Sequence, residues 1–575
     1  MRQHPRPATA WWHGAAGYQV YVPSFADGDG DGLGDLRGLH DRLDYLAWLG
    51  VDLLWLTPFY PSPLADHGYD VADHRQVDPR FGSLEVFDAL LAKAHKLGLR
   101  VLLDLVANHT SWRHPWFVAS RASRNSPMRD WYLWRDGQPG GQPPNNWASA
   151  FGGPAWTYDP GSNQWWLHLH LPEQPDLNWA NPAVAEAIDQ VIGFWLDRGV
   201  DGFRVDVAHE LVKHPDLPDN PPAPDGRREP GAVPAWQALE HRYDLDQPGV
   251  LEVHRRWRRR ADRRGALLLG EVCLLDAGRL ARYLRGDGLH AAFWLEPPAL
   301  GWDPRALRRS LRAALAATPP GSLAWAQGSH DDQARAASRL GGGEAGRQRS
   351  LALATLLAGL PGIHFTYQGD ELGLPDGQVP LERLRDPLAL RSGIPELTRD
   401  RARTPMPWQP GPGLGFTTAA RPWLPEGGRR PADTVAVQRA DPASMLHRYR
   451  ALLAARRRHL PAVEVPVEWL GEDGPLLAYR RGALLVAANC GQAPAALRPP
   501  GPGRWALVFA TAPRHAAAGA SGPTQGRQPA GPLELQPDHA VILRLEEAAG
   551  SAGRGGRLPG AGRVRPAGTG ATITD

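Results

Sequence analysis

The sequence predicts an α/β protein: an eight-stranded parallel (β/α)8 barrel with a small domain inserted after the third strand and a C-terminal β-sandwich. Three observations predict it. Eight short apolar, β-rich runs recur, each closing on polar residues. Helix-periodic stretches separate most of them, and strand–helix alternation implies a parallel sheet. Eight such units over more than 350 residues imply closure into a barrel, whose working face lies at the strand C-terminal ends.

GYQVYV (17–22) leads into PSFADGDGDG, VDLLWL (51–56) into TPFYPSP, and LRVLLDLV (99–106) into ANHTS. VDGFRVDV (200–207), ALLLGEV (266–272), GLHAAFWL (288–295), SLAWAQ (322–327) and GIHFTYQ (362–368) complete the eight. Between them, 84–98 and 184–199 carry apolar residues at helical spacing, the second ending on Gly199 as a C-cap would. The barrel is therefore expected over 1–109 and 179–462. Residues 110–178 are rich in Trp, Pro and Gly and include the alternating NQWWLHLHL. A structureless loop of that length is rare, so an inserted domain with a short sheet is expected there. The runs LLAYRRG, ALLVAANC, RWALVFAT and HAVILRLE predict a β-sandwich over 463–546. The Gly/Ala/Arg-rich stretch 547–575 lacks core residues and is expected to be a disordered tail.

Composition excludes several classes. Of 575 residues, 42% are hydrophobic and 22% charged, which is ordinary globular usage. A net charge of +3 is no polybasic surface, so nucleic acid is not an expected partner. Two cysteines, Cys273 and Cys490, make neither a disulfide framework nor a thiolate metal site. The longest mostly apolar run, 350–365, is broken by Gly359, Pro361 and Gly362 and is too short to span a bilayer. MRQHPRPATAWWHG lacks the apolar core of a secretory signal. A cytoplasmic protein without membrane contact, monomeric or weakly self-associating, is the expectation. Only Lys93, Lys96 and Lys213 are lysines; none follows Gly, which rules out a P-loop, and HExxH and GxSxG are absent. No organic cofactor is expected. His168 and His170 share a face of an alternating run; such a pair is more often structural than metal-binding. The 23 Trp residues offer flat apolar faces for sugars, although core packing accounts for most tryptophans.

Acids gather at the strand ends. Asp104, Asn108 and His109 end the third run; Arg204 and Asp206 the fourth; Glu271 the fifth; His330, Asp331 and Asp332 follow the seventh. Burying acids beside apolar strands is costly unless they are paired, and two converging carboxyls suit retaining glycoside hydrolysis. The set DLVANH, GFRVD, GEV and SHD resembles the four signature regions of the α-amylase superfamily. QPDLNW (174–179) is similar to the region marking its oligo-1,6-glucosidase and α-glucosidase branch, and YQGDELGL and RARTPMPW echo it further.

The resemblance implies a retaining, exo-acting α-glucosidase for small α-glucosides. Asp206 would be the nucleophile, kept ionised by Arg204, and Glu271 the acid/base. Asp331 would be the third acid, binding sugar hydroxyls. His109 and His330 would hydrogen-bond the glucose in the −1 subsite, Tyr69 would stack on it, and Asp66 with Arg403 would grip its 4-hydroxyl. Val207, after the nucleophile, would face the +1 sugar, where Val tends to accompany α-1,6 cleavage. The fourth region departs from the family's pattern: in SHDDQAR the spacing to Arg335 points to Asp332, while the adjoining His330 points to Asp331. An α-glucosyl transferase or isomerase, such as trehalose synthase or sucrose isomerase, shares the acids and stays open, as does a non-catalytic member.

Asp27, Asp29, Asp31 and Asp35 in DGDGDGLGD recur at oxygen-ligand spacing, but Gly38 stands where an EF-hand needs Glu. The resemblance implies a structural Ca2+ held here by Asp27, Asp29, Asp31, the Leu33 carbonyl and Asp35.

Overall fold

The computed structural model describes residues 10–224, 232–326, 331–501, 503–512 and 532–546. His330 and the expected tail lie outside them.

The strands are β1 (Ala16–Val20), β2 (Leu53–Leu56), β3 (Arg100–Leu105), β4 (Trp134–Arg135), β5 (Trp156–Asp159), β6 (Gln164–Leu167), β7 (Gly202–Val205), β8 (Leu267–Gly270), β9 (Ala291–Trp294), β10 (Leu323–Ala326) and β11 (Ile363–Tyr367). Eight of them close a barrel in the order β1-β2-β3-β7-β8-β9-β10-β11, with β11 returning to β1. Every neighbouring pair is parallel. The eight apolar runs are thus its strands.

Alternation along the strands divides the core into two shells. Leu54, Leu56, Val101, Leu103, Phe203 and Val205 pack outward with helical residues such as Leu43, Phe87, Ile188 and Trp195. Leu53, Trp55, Leu102, Leu269, Phe293 and Phe365 fill the interior. Gly17 makes room for that filling: a Cβ there would sit 2.6 Å from the Phe365 ring. Following the interior parity toward the strand ends leads from Leu102 to Asp104, from Gly202 to Arg204 and Asp206, and from Leu269 to Glu271. The apolar plug therefore carries a charged layer directly above it.

The helices start where side chains can take their free amides. Asp35 caps Leu36–Leu49, Ser83 caps Leu84–Lys96 and Asn181 caps Pro182–Asp197. The last ends into Gly199 at φ +96°, a left-handed position that favours glycine.

Between β3 and β7 lie the helix Pro115–Arg121 and a three-stranded antiparallel sheet in the order β4-β6-β5. The alternating run leaves this sheet at Leu167. Beyond it, Asp176 Oδ1 accepts the Leu169 N–H at 3.2 Å and Gln174 Oε1 accepts the Leu171 N–H at 3.1 Å. Side chains of the QPD motif thus capture the amides that a longer ladder would need.

C-terminal to the barrel are β12 (Glu468–Leu470), β13 (Leu476–Arg481), β14 (Leu484–Asn489), β15 (Ala495–Leu497), β16 (Arg504–Ala510), β17 (Leu533–Leu535) and β18 (Ala540–Glu546). Five form an antiparallel sheet, β12-β13-β14-β18-β16, and β15 pairs with β17. Leu477, Tyr479, Val486 and Ile542 turn one face of the larger sheet into the barrel's helical shell. Leu485, Ala487, Trp505 and Leu543 on the other face pack with Leu497 and Leu535 of the smaller sheet. Arg481 of β13 ties the two parts together by donating to the Gly359 carbonyl at 3.0 Å, where the helix Gly343–Ala358 has run out of partners. Among the described residues no helix is long and apolar enough to cross a membrane.

Candidate active site

The charged layer is organised by Arg204. The β3–β7 register sets Asp104 beside it. Its Nη1 lies 2.6 Å from Asp104 Oδ1 and 2.6 Å from Asp206 Oδ1, and its Nη2 lies 2.6 Å from Glu271 Oε2. The guanidinium rests over the Trp55 ring at 4.8 Å and faces Tyr69 at 5.7 Å. Asp104 is fully occupied: Trp55 Nε1 donates to its Oδ2 at 2.8 Å, and the Tyr69 hydroxyl does so at 3.3 Å. Glu271 also accepts the Val207 N–H on Oε2 at 3.1 Å. For that, Val207 takes φ +36°, a strained value for a β-branched residue.

Three carboxyls around one cation leave an excess of negative charge in a buried space. Burial pushes the Asp104 and Asp206 carboxyls above the ordinary range; Arg204 opposes this, and the neighbouring acids reinforce it.

Asp331 follows β10 and is completely buried. Gln19 Nε2 donates to its Oδ1 at 2.7 Å, and Arg403 Nη2 lies 2.7 Å from Oδ2. The next acid, Asp332, has a side chain 39% exposed, with Arg403 and Arg399 at 2.9 and 3.2 Å. Arg335, whose spacing pointed to Asp332, instead donates to the Gln368 and Ala402 carbonyls at 2.7 Å each.

Asp66, expected to share the sugar's 4-hydroxyl with Arg403, is itself ion-paired with Arg399. Its Oδ1 lies 2.9 Å from Arg399 Nη2, and its Oδ2 accepts from Gln174 Nε2 at 3.1 Å. Arg403 belongs to Asp331 and Asp332. Arg399 in turn is clamped by Asp386 at 2.8 Å and lies over the Phe151 ring at 5.2 Å. Residues 399–404 form turns and bends, so no strand or helix periodicity in TRDRART assigns these partners. Sequence reasoning also passed over Gln19, Phe151 and Glu210.

His109 is buried beside Gln174, 3.1 Å from its amide nitrogen, and burial holds its imidazole well below the ordinary value. Lys213 bridges Asp176 and Asn108 at 2.7 Å each, joining the ends of β3, β7 and the inserted segment. The two histidines of the alternating run separate. His168 sits 2.9 Å from Thr157 Oγ1, whereas His170 reaches Glu210. Tryptophan serves mainly the core, where Trp55, Trp147, Trp156, Trp195, Trp257 and Trp325 are among the largest fully buried side chains.

The acidic loop brings ligand oxygens of Asp27, Asp29 and Asp35 within 4.8 Å of one another. Asp31 is not among these carboxylates; its Oδ1 accepts the Leu33 N–H at 2.7 Å. Burial, then the like charges of Asp29 and Asp27, raise the Asp35 carboxyl despite two amide donors. A site strained in that way suits a hard cation with oxygen ligands.

Residues 19–464 match the alpha-amylase family, described as the alpha amylase catalytic domain. The chain is 43% identical over 486 residues to a probable alpha-glucosidase of Rhizobium meliloti (strain 1021), a match covering 83% of this chain and 88% of that protein. It is 36% identical over 525 residues to an oligo-1,6-glucosidase of Heyndrickxia coagulans, covering 84% and 92%. Among solved structures, an alpha-glucosyl transfer enzyme, XgtA, matches with a TM-score of 0.86 at 39% identity, covering 94% of this chain and all of that one. The trehalulose synthase MutB from Pseudomonas mesoacidophila MX-45 matches at 0.83 and 31%, covering 94% and 100%.

Proposed function

The chain belongs to the alpha-amylase catalytic-domain family, and from that premise we propose that it is a retaining, exo-acting α-glucosidase acting on short α-1,4- or α-1,6-linked gluco-oligosaccharides. The observation carrying this reading is the single guanidinium that holds both Asp206 and Glu271 at 2.6 Å. A bridge that short fits the roughly 5–5.5 Å carboxyl separation of retaining enzymes better than the wider gap of inverting ones.

In the first step Asp206 attacks the anomeric carbon while Glu271 gives its proton to the departing glycosidic oxygen. The C–O bond to the leaving sugar breaks as the bond to Asp206 forms, with inversion. Arg204 and the Val207 N–H both meet Glu271 on Oε2. In the second step Glu271 removes a proton from water, which attacks the same carbon, expels Asp206 and restores the α configuration. Asp331 would bind the sugar hydroxyls and stabilise the positive charge that develops on the ring. Asp66 and Arg399 would close the far end of the pocket on the terminal glucose, which makes the reaction exo-acting. Nuclear magnetic resonance of the first sugar released from maltose or isomaltose should show the α-anomer. Initial β-anomer would exclude this mechanism.

One observation favours a second reading: the match to a glucosyl transfer enzyme over 94% of the chain. Incubation with maltose, isomaltose, sucrose, trehalose and a long maltodextrin separates the two. Free glucose as the main product supports hydrolysis; isomerised disaccharides or longer α-glucosides support transfer.

The converging Asp27, Asp29 and Asp35 support a bound Ca2+, which would neutralise the loop and hold it to the helix that Asp35 caps. Neither Cys273 nor Cys490 is in a disulfide, which fits a cytoplasmic location. A monomeric or weakly associating state completes the reading.

A further inference from the structure

One buried pair of opposite charges stands in the wall of the site, and the steps above make no use of it. His170 Nε2 lies 2.9 Å from Glu210 Oε2, with the imidazole 13% and the carboxylate 6% exposed. His170 comes from the turn after β6, and Glu210 follows Asp206 by four positions, so the pair joins the inserted segment to the barrel.

The groups around it leave His170 as the cation. The second oxygen of Glu210 faces His209 Nε2 at 3.7 Å. Lys213 spends its charge on Asp176 at 2.7 Å and donates to the Glu210 carbonyl. His168, two residues before His170, is held by Thr157. On the pocket side, His170 lies against the His109 ring at 5.0 Å and the Phe151 ring at 5.8 Å. Burial pulls the His170 proton affinity down, but Glu210, then Asp176 and Asp206, outweigh it and push it up to about 9. At Asp206 the influence is reciprocal: burial, Glu271 and Asp104 raise its carboxyl, while Arg204 and His170 lower it.

We propose that the Glu210–His170 pair is a positioning element of the glucosidase site, which keeps an imidazolium beside His109 on the Asp206 side of the pocket and extends activity toward acid pH. The proposal rests on the function argued above. Arg204 is shared among three acids, and a second cation in a water-poor wall is little screened. It keeps the nucleophile ionised where one guanidinium shared three ways would not. A neutral side chain of similar size would fill the same space and leave the nucleophile without that support.

The test is the pH dependence of kcat/KM on p-nitrophenyl α-glucoside, whose aryl leaving group needs little protonation, so that the acid limb reports the nucleophile. Wild type is compared with His170→Gln, Glu210→Gln and the double variant His170→Phe/Glu210→Gln, the last leaving no uncompensated buried ion. In each variant that melts cooperatively, the acid limb should move up by about half a pH unit or more, an approximately threefold loss below the limb that vanishes near neutrality. A clasp that only held the segments together would lower activity equally at all pH values, or lower the melting temperature alone. An acid limb superimposable on wild type in any folded variant would overturn the proposal; should both single variants fail to fold, the double variant decides. Wild type inactive on every glucoside would instead overturn the glucosidase reading, and with it this one.

Discussion

Asp206 and Glu271 share one guanidinium, so changing either leaves Arg204 in place but removes a reacting group. Asp206→Asn and Glu271→Gln are isosteric and should retain the fold while losing about 10³-fold or more in kcat. Steady-state kinetics beside a melting curve check this; a variant with a tenth of wild-type activity would refute its assigned role. The third acid divides on burial. Asp331 is enclosed and held by Gln19 and Arg403, whereas Asp332 is half-exposed at the rim of the same arginine. Asp331→Asn should abolish turnover, and Asp332→Asn should leave a measurable rate with a raised KM. Val207 offers a different test. In its strained conformation it supplies an N–H to Glu271, a service any side chain allows, so Val207→Ala should keep most activity. If the side chain crowds an α-1,4-linked +1 sugar, kcat/KM for maltose relative to isomaltose should rise several-fold, within the ~1–3 kcal/mol that a methylene or two can provide. An unchanged ratio would mean that linkage is read elsewhere.

At the scale of elements, the strap from Asp386 to Arg403 delivers two arginines to the site. Its inner side is tied by Asp400 Oδ2, which accepts the Arg385 and Asp386 amides at 2.7 and 3.0 Å. Asp386 is fully enclosed and accepts from the Arg399 backbone N–H and guanidinium. Burial raises its carboxyl, but Arg399 more than compensates and holds it well below the ordinary 3.8. A carboxyl depressed on folding stabilises the protein fully above its unfolded value, and that stability is lost as pH falls through the folded one. Stability should therefore decline as pH drops below about 4, partly through this pair, and Asp386→Asn should flatten that part of the curve. Chemical denaturation at a series of pH values from about 5 to 3 measures it; an unchanged slope would exclude the pair as a contributor.

For the whole molecule, the acidic loop sits between the first strand and its helix. Asp35 both joins the acid cluster and caps Leu36–Leu49 through the Gly38 N–H at 2.6 Å, while Thr417 from a distant loop donates to Asp27. A cation bound there stabilises only the folded state. Chelation should lower the melting temperature more than it lowers kcat at a temperature where the protein stays folded, with added calcium reversing the change. An unmoved melting temperature under both conditions would sink the metal.

What the sequence determined by itself is whatever short-range pattern controls. The apolar runs and helical spacing specified the barrel, because alternation and amphipathicity act within a few residues. The same parity that buries Leu102 and Leu269 carries Asp104 and Glu271 to the strand ends, so the acids were legible as a layer. The Gly199 stop and the break after the third strand were equally readable. Only the tertiary structure decided partners. Asp66 takes Arg399 and not Arg403, and Asp331 is enclosed while its neighbour is not. His170 leaves its alternating run to meet Glu210, and Asp31 stands apart from Asp27, Asp29 and Asp35. Each of these depends on how loops from separate strand ends pack over one rim. Residues two or four apart in sequence can face opposite ways there, and no local periodicity records which charge each will meet.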